Sequence, residues 1–477
     1  MADVTAGSGP SADPGPNTPE GQGAEPTLKR VMGPGLLLLF VVGDILGTGI
    51  YALTGKVANE VGGAVWAPFL VAFLVALVTG FSYLELVTKY PHAAGAALYT
   101  HKAFGVHFFT FMVAFAVMSS GITSAATAAR AFAANFAEAF QFDLSTGIGV
   151  TLVALAFMMV VAAINLRGVS EGVKLNVVLT CVELTGLLIV IVIGLWALGF
   201  GNGDFGRVVE FDTGDRSALG GVIVATTLAF YAMVGFEDSV NMAEECKEPS
   251  RIFPKVLLAG LLLTGLIYVV VSITAIALVP ADQLGQGDTP LLKVVEVGAP
   301  AFPTHIFAFI TMFAVANSAL INMLMASRLL YGMARQGVIP RPLGRVHAGR
   351  RTPYIAIAFT TLLALGLILF VGEVPELGGT TALLLLAVFT VVNVAVLVLR
   401  RDPVEHSHFR TPTVLPVVGA LTCGFLVTPW TDRNPQQYAI AGVLLAIGVV
   451  LWVVNHLVIR ALHREPPHTE KIPTPEP

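Results

Sequence analysis

Gly43-Asp44-Ile45-Leu46-Gly47-Thr48-Gly49-Ile50-Tyr51 is the stretch whose reading decides the fold. It lies inside an apolar run over about 36–53. A helix of about 20 apolar residues crosses a bilayer, and this run is near that length. Its middle, however, holds Gly43, Gly47, Gly49, an aspartate and a threonine. Glycine disfavours a helix by about 1 kcal/mol relative to alanine. An aspartate at the centre of a membrane helix costs roughly 2.5–3.5 kcal/mol on insertion scales. A plain anchor carries neither. Broken helices persist in membranes only where they are buried in protein or line a cavity. The stretch therefore reads as a membrane helix interrupted to make a binding site. A glycine face packed on a neighbouring helix is the alternative.

Composition places the whole chain in the membrane. Of 477 residues, 55% are hydrophobic and 12% charged, against about 25% charged in soluble domains. The net charge of −4 says little, because charges in such proteins matter by location. Cys181, Cys246 and Cys423 are far apart in sequence and suggest neither a zinc site nor a disulfide framework. No metal, cofactor or nucleic-acid partner is expected. Residues 1–30 and 466–477 are polar and Pro-rich, and read as disordered tails.

Twelve apolar runs follow, near 34–54, 64–88, 107–136, 146–165, 173–199, 218–242, 255–279, 303–333, 353–371, 380–399, 414–430 and 437–460. Runs this long are helical. The chain is thus expected to be an all-α polytopic membrane protein. Lys and Arg concentrate in alternate connections: Lys89, Lys102, Arg167, Lys174, Lys247, Arg251, Arg341, Arg345, Arg350, Arg400 and Arg401 lie on one side. The other side holds only Lys56, Arg130, Arg207, Arg216, Lys293 and Arg433. Positive charge marks the cytoplasmic side, so both termini are expected there, in a plasma membrane. A short surface helix is expected after the second run, before Phe104, and another external one near 291–297.

The sixth run repeats the theme of the first. It contains Thr226-Thr227-Leu228-Ala229-Phe230-Tyr231-Ala232-Met233-Val234-Gly235-Phe236-Glu237-Asp238, again with glycine and acids mid-run. Runs five apart cross the membrane in opposite senses. Two similarly interrupted helices in matching halves point to inverted repeats around a midplane site. The halves would be residues 31–200 and 201–400, with the eleventh and twelfth helices (401–465) outside them. On these motifs the chain resembles the amino acid–polyamine–organocation superfamily of permeases. The matching stretches are GDILGTGIYALTG, SYLELVTKYPHAAGAALYTHKAFG, FYAMVGFEDSVNMAEECKEPSRIFP and ASRLLYGMARQGVIPRPLGRVHAGRRTP, in order along the chain. The resemblance implies a leucine-transporter-type fold, with 12 transmembrane helices, a 5+5 inverted repeat and broken helices 1 and 6.

The resemblance also implies an amino acid or amine bound between the two breaks. Free backbone N–H groups around Gly47, Thr48, Gly49 and Ile50, at a half-helix N-terminus, suit its carboxylate. A side chain at Gly49 would fill that place. Carbonyls near Phe230, Tyr231 and Val234 suit its ammonium group. The resemblance makes Tyr231 the aromatic that closes over the substrate, and makes Glu237 an acid that couples binding to movement. Ser318 and Asn322 are four apart and share a helix face, which the resemblance puts beside the first break. Asn317 reads as a helix–helix hydrogen bond. The patch Ser119, Ser120, Gly121, Thr123 and Ser124 reads as tight packing.

Acids within the runs are functional candidates by default. Glu85 is the exception and is expected to bond loop amides. Asp44 can take a proton or attract a cation. Many relatives carry lysine at the place of Glu183, where this chain has Thr180-Cys181-Val182-Glu183. Burial disfavours the charged form of a carboxylate, so Glu183 can carry a proton, pair with Asp44 or help hold a cation. Glu244, Glu245, Lys247, Glu248 and Arg251 are expected either to pair with the basic loop at 335–351 or to stay solvated.

No nucleophile elbow, phosphate loop or metal-spaced cluster is present, which argues against an enzyme. A channel would need a continuous polar pore. The expectation is secondary active transport by alternating access. A neutral or cationic amino acid would move with protons as the coupling ion, or else by sodium-independent exchange.

Overall fold

The computed structural model describes residues 33–91, 95–142, 147–167, 172–201, 203–335, 337–350 and 352–461. The two expected tails lie outside these. Among the described residues there is no strand, only an isolated bridge between Gly62 and Phe211. The first run is two helices, α1 (Pro34–Ile45) and α2 (Thr48–Val61). Then come α3 (Trp66–Lys89), the short surface helix α4 (Gly95–Phe104), α5 (His107–Phe140), α6 (Gly147–Arg167) and α7 (Gly172–Gly199). The second half holds α8 (Ala218–Ala229), α9 (Pro249–Leu278), the short α10 (Ala281–Leu284) and α11 (Pro290–Gly298), α12 (Thr304–Arg335), α13 (Tyr354–Phe370) and α14 (Val374–Leu399). The chain ends on α15 (Val414–Val427) and α16 (Pro435–Ala461).

Ten described segments are long and apolar enough to cross a membrane. The ninth and eleventh runs form shorter apolar helices of 17 and 14 residues, about 26 and 21 Å at 1.5 Å per residue. Local chemistry truncates them. Pro353 caps α13, and Gly372 (φ 69°) lies just past its end. Pro429 follows α15 and opens a 3₁₀ turn. In the tenth run the helix starts earlier than its hydropathy suggests, at Val374, because Pro375 suits a first turn.

The halves interlock in matched pairs. The second run packs on the seventh (α3 on α9), the third on the eighth (α5 on α12) and the fourth on the ninth (α6 on α13). α1 packs on α7 and α9, and α8 makes the counterpart contacts with α14 and α3. Swapping the halves maps this set of neighbours onto itself, as two entwined repeats require. The first run is the most enclosed: 78% of its apolar window is buried, against 28% for the last and 22% for the fourth. Side chains such as Leu152, Met159, Trp196 and Val443 face outward, as lipid contact demands.

Polar knots fasten this core. Ser82 and Thr79 of α3 bond Asn393 of α14 at 2.6 and 3.2 Å. Glu85, 2% exposed, accepts two bonds from Arg400 at 2.8 and 2.9 Å and the backbone N–H of Thr411 at 2.8 Å. The loop-amide role expected for Glu85 is what the geometry displays. Breaking a buried ion pair by removing one partner costs about 3–5 kcal/mol. Arg400→Ala is therefore expected to lower the unfolding temperature markedly, read by a thermal melt in detergent. An unshifted melt would show that the pair contributes little.

Candidate functional site

The site begins where α1 stops. The N–H of Leu46 bonds back to Val42, and the Ile45 carbonyl accepts the Tyr268 hydroxyl at 2.5 Å. α2 restarts at Thr48 with Gly47 as its cap. The N–H groups of Thr48, Gly49 and Ile50 are therefore first-turn donors without helical acceptors. They sit at the positive end of the helix dipole.

The sixth run breaks differently. α8 ends at Ala229, a 3₁₀ turn covers Phe230–Met233, and Val234 is extended. Gly235 follows with φ 123°, a conformation that side-chained residues rarely adopt. A Cβ there would also lie 2.6 Å from the Asp44 carbonyl oxygen. The Tyr231 carbonyl accepts the Val234 N–H at 3.3 Å. Beyond Gly235 the chain continues as a 3₁₀ segment, Asp238–Glu245, rather than an α-helix. The two breaks touch backbone to backbone.

A cavity lies between them. From the expected residues, Asp44, Gly47, Thr48, Gly49, Tyr231, Val234, Glu237, Ser318 and Asn322 line it. Ile50, Phe230 and Glu183 do not. Ile50 and Phe230 are fully buried, and Phe230 lies edge-on to Phe389. Only the backbone of either residue can serve a ligand here. The Thr48 hydroxyl is buried with no hydrogen-bond partner of good geometry. The Tyr231 hydroxyl bonds Ser124 Oγ at 3.1 Å. The Glu237 carboxylate accepts the Gly235 N–H at 2.9 Å. Asn322 spends its amide N–H on the Ser318 carbonyl at 2.8 Å.

Ser120, Gly121 and Ser124 also line the cavity, as do Asp238 and Leu385. The polar patch on α5, expected to be packing alone, is thus divided. Thr123 turns away to bond Thr381 at 2.7 Å, while the face at 120, 121 and 124 opens on the cavity. The one-and-four spacing was the available signal. Asn317 behaves as expected, donating to Asn176 across helices at 3.0 Å.

A second, smaller pocket adjoins the first and shares Val117, Glu237, Asp238 and Leu329 with it. It reaches Tyr83, Asn241 and the start of α4. The cavity system therefore extends toward the face that carries α4. The opposite face is pinned: Lys56 lies 3.6 Å from Asp288, and Arg216 bridges Glu60 and Asp432, both at 2.9 Å. On the α4 face, Glu248 pairs locally with Arg251 at 3.7 Å, both exposed. The side chains of Glu244 and Glu245 lie outside the described residues.

Glu183 sits behind the cavity. It is fully buried, and neither carboxylate oxygen has a hydrogen-bond partner of good geometry. Asn317 is the polar side chain beside it, and the Asn317 oxygen is likewise unpartnered. The Tyr51 hydroxyl bonds the Glu183 backbone carbonyl at 2.6 Å.

Membrane-length helices, two of them broken around a buried polar cavity, define a multi-pass membrane transporter. The chain belongs to the amino acid permease family, whose model matches residues 37–459. It is 28% identical over 428 residues to a branched-chain amino acid permease of Bacillus subtilis (84% of this chain, 88% of that one). It is 26% identical to a methylthioribose transporter of the same organism over 451 residues (91% and 93%). A mitochondrial cationic amino acid transporter of Arabidopsis thaliana is 28% identical over 378 residues, covering 76% of this chain and 61% of that protein. These relatives are named for unlike solutes, so kinship alone does not name the substrate.

Proposed function

We propose that this protein carries an α-amino acid across the plasma membrane by alternating access, coupled to protons, and that it is a transporter rather than an enzyme. The observation that carries the reading is the start of α2. Its free N–H groups and the buried Thr48 hydroxyl, which lies beside the Tyr231 hydroxyl, border a cavity whose other wall is the break of the sixth run. In this reading the carboxylate docks on Thr48, Gly49 and Ile50. The ammonium group meets backbone oxygens at Phe230–Met233 and Val234. Tyr231 closes the cavity on the pinned side. Glu237, tied to the Gly235 N–H, links occupancy to the position of the break. Glu183, fully buried behind the cavity, takes up the coupling proton, as an acid within a membrane span is suited to do. Both termini are placed in the cytoplasm, on the strength of the Lys and Arg distribution.

The test is uptake into proteoliposomes in sodium-free buffer, with and without an inward proton gradient, over a panel of labelled amino acids. Accumulation that collapses with the gradient is expected. Uptake seen only after preloading with amino acid would replace proton symport with exchange. No uptake of any amino acid would overturn the substrate class.

A further inference from the structure

The last two helices lie outside the paired halves, yet the turn that joins them reaches into the core. Arg433, in that turn, is 4% exposed. Among the described residues it has no carboxylate partner. Its Nη1 donates to the Gly379 carbonyl of α14 at 2.8 Å and to Gln437 Oε1 of α16 at 3.0 Å. Its Nη2 donates to the Leu426 carbonyl of α15 at 3.3 Å. A cation buried on neutral acceptors is costly. What it provides is geometry: the guanidinium holds its donors in a fixed plane, where lysine offers a flexible point charge. The turn is anchored twice more. Asn434 donates to Glu376 Oε1, in the first turn of α14, at 2.6 Å. Asp432 takes Arg216, which also holds Glu60 of α2.

α14 is clasped at two successive glycines. A Cβ at Gly379 would lie 2.2 Å from Gln437 Nε2, so α16 rests on bare backbone there. Gly378 faces the first and sixth runs instead. A Cβ there would lie 2.9 Å from Leu53 Cδ1 and 3.3 Å from Tyr231 Cδ1. Thr381 bonds Thr123 at 2.7 Å, beside the Ser124 that meets the Tyr231 hydroxyl at 3.1 Å. The ring and the hydroxyl of Tyr231 both rest on parts that α14 touches. Arg433 does not line the cavity. Resting on the closure by Tyr231 read above, we propose that Arg433 is a positioning residue for that gate. It fixes the start of α14 against α15 and α16, and α14 backs the Tyr231 ring. Without Arg433 the start of α14 retreats, and the cavity opens toward the pinned face alone.

The experiment reads access to the cavity from each face and needs no substrate. A thiol is placed in the cavity wall by Ala326→Cys, in a full-length chain that carries Cys181→Ala, Cys246→Ala and Cys423→Ala. A small membrane-impermeant thiol reagent is applied to intact cells and, separately, to inverted vesicles. Arg433→Met is expected to speed labelling from the pinned face at least about fivefold and to leave the α4 face within about twofold. Tyr231→Ala is expected to act alike, and the double variant to exceed neither single one, because both remove the same barrier. Arg433→Lys keeps the charge and loses the fork, and is read in the same way where Arg433→Met does not fold. An effect of Tyr231→Ala with none from the Arg433 variants would overturn the inference and leave the closure reading standing. So would additive effects, or faster labelling from both faces, which marks a loosened fold. No effect of Tyr231→Ala would overturn both.

Discussion

Gly49→Leu abolishes substrate binding, by at least about 100-fold or about 2.8 kcal/mol. The expected cause differs from the one that sequence suggests. A side chain at this position does not point into the cavity. Its Cβ would come within 2.7 Å of the Ala232 Cβ and 2.9 Å of the Ala232 nitrogen. That is backbone of the opposite break, which cannot swing aside as a flexible side chain can. The two breaks must part, and the N–H groups of α2 lose their register with the oxygens of the sixth run. Backbone separated by even 1 Å forfeits both ends of the ligand at once. The control is Gly366→Leu, because a Cβ at Gly366 meets nothing within 4 Å. Isothermal calorimetry on both variants decides the matter, with monodispersity and a cooperative melt required of each. Full affinity in folded Gly49→Leu would remove the break-to-break contact from the binding site.

Glu183→Gln is expected to uncouple transport from protons while sparing exchange. Glu183 is 0% exposed, and it shares its surroundings with the unpartnered Asn317 oxygen. A carboxylate buried with so few donors is steadied when a proton or a cation joins it. Glutamine supplies a permanent N–H donor of nearly the same shape, so the fold is expected to survive. It cannot take up or release a proton. Gradient-driven accumulation is expected to fall at least about tenfold, with substrate–substrate exchange kept within about threefold. The measurement is paired uptake and counterflow in proteoliposomes across a pH series. A pH dependence identical to the parent protein would remove Glu183 as the coupling group.

Much of this was legible from local chemistry. The break at Gly47 and Gly49 showed because glycine and an aspartate interrupt an otherwise apolar run. The second break showed for the same reason at Gly235 and Glu237. The expected surface helix at α4 and external helix at α11 are present where polarity and proline placed them. Hydropathy overestimated the length of the ninth and eleventh helices, because it averages over the proline and glycine that end them. It missed the cavity face of α5, because Ser120, Gly121 and Ser124 look in sequence like any small-residue packing stripe. Sequence could not rank Asp238 against Glu237, because nothing local tells a cavity-facing acid from the acid beside it.

The order of the apolar runs, the points where two of them break, and the presence of acids among them are properties of short windows, so the sequence by itself determined them. Which side chains share the cavity is a different kind of fact. Thr48, Ser124, Tyr231, Asn322 and Leu385 come from five separate runs, and only the packing of those helices brings them together. The same packing turns Gly49 toward Ala232 and puts Gly235 against the Asp44 carbonyl. It sets Glu183 behind the cavity beside Asn317, while Asp44, Glu237 and Asp238 face into it. Tertiary structure decides these placements because a helix fixes only the angle between its own side chains. The helix facing them fixes what each one meets.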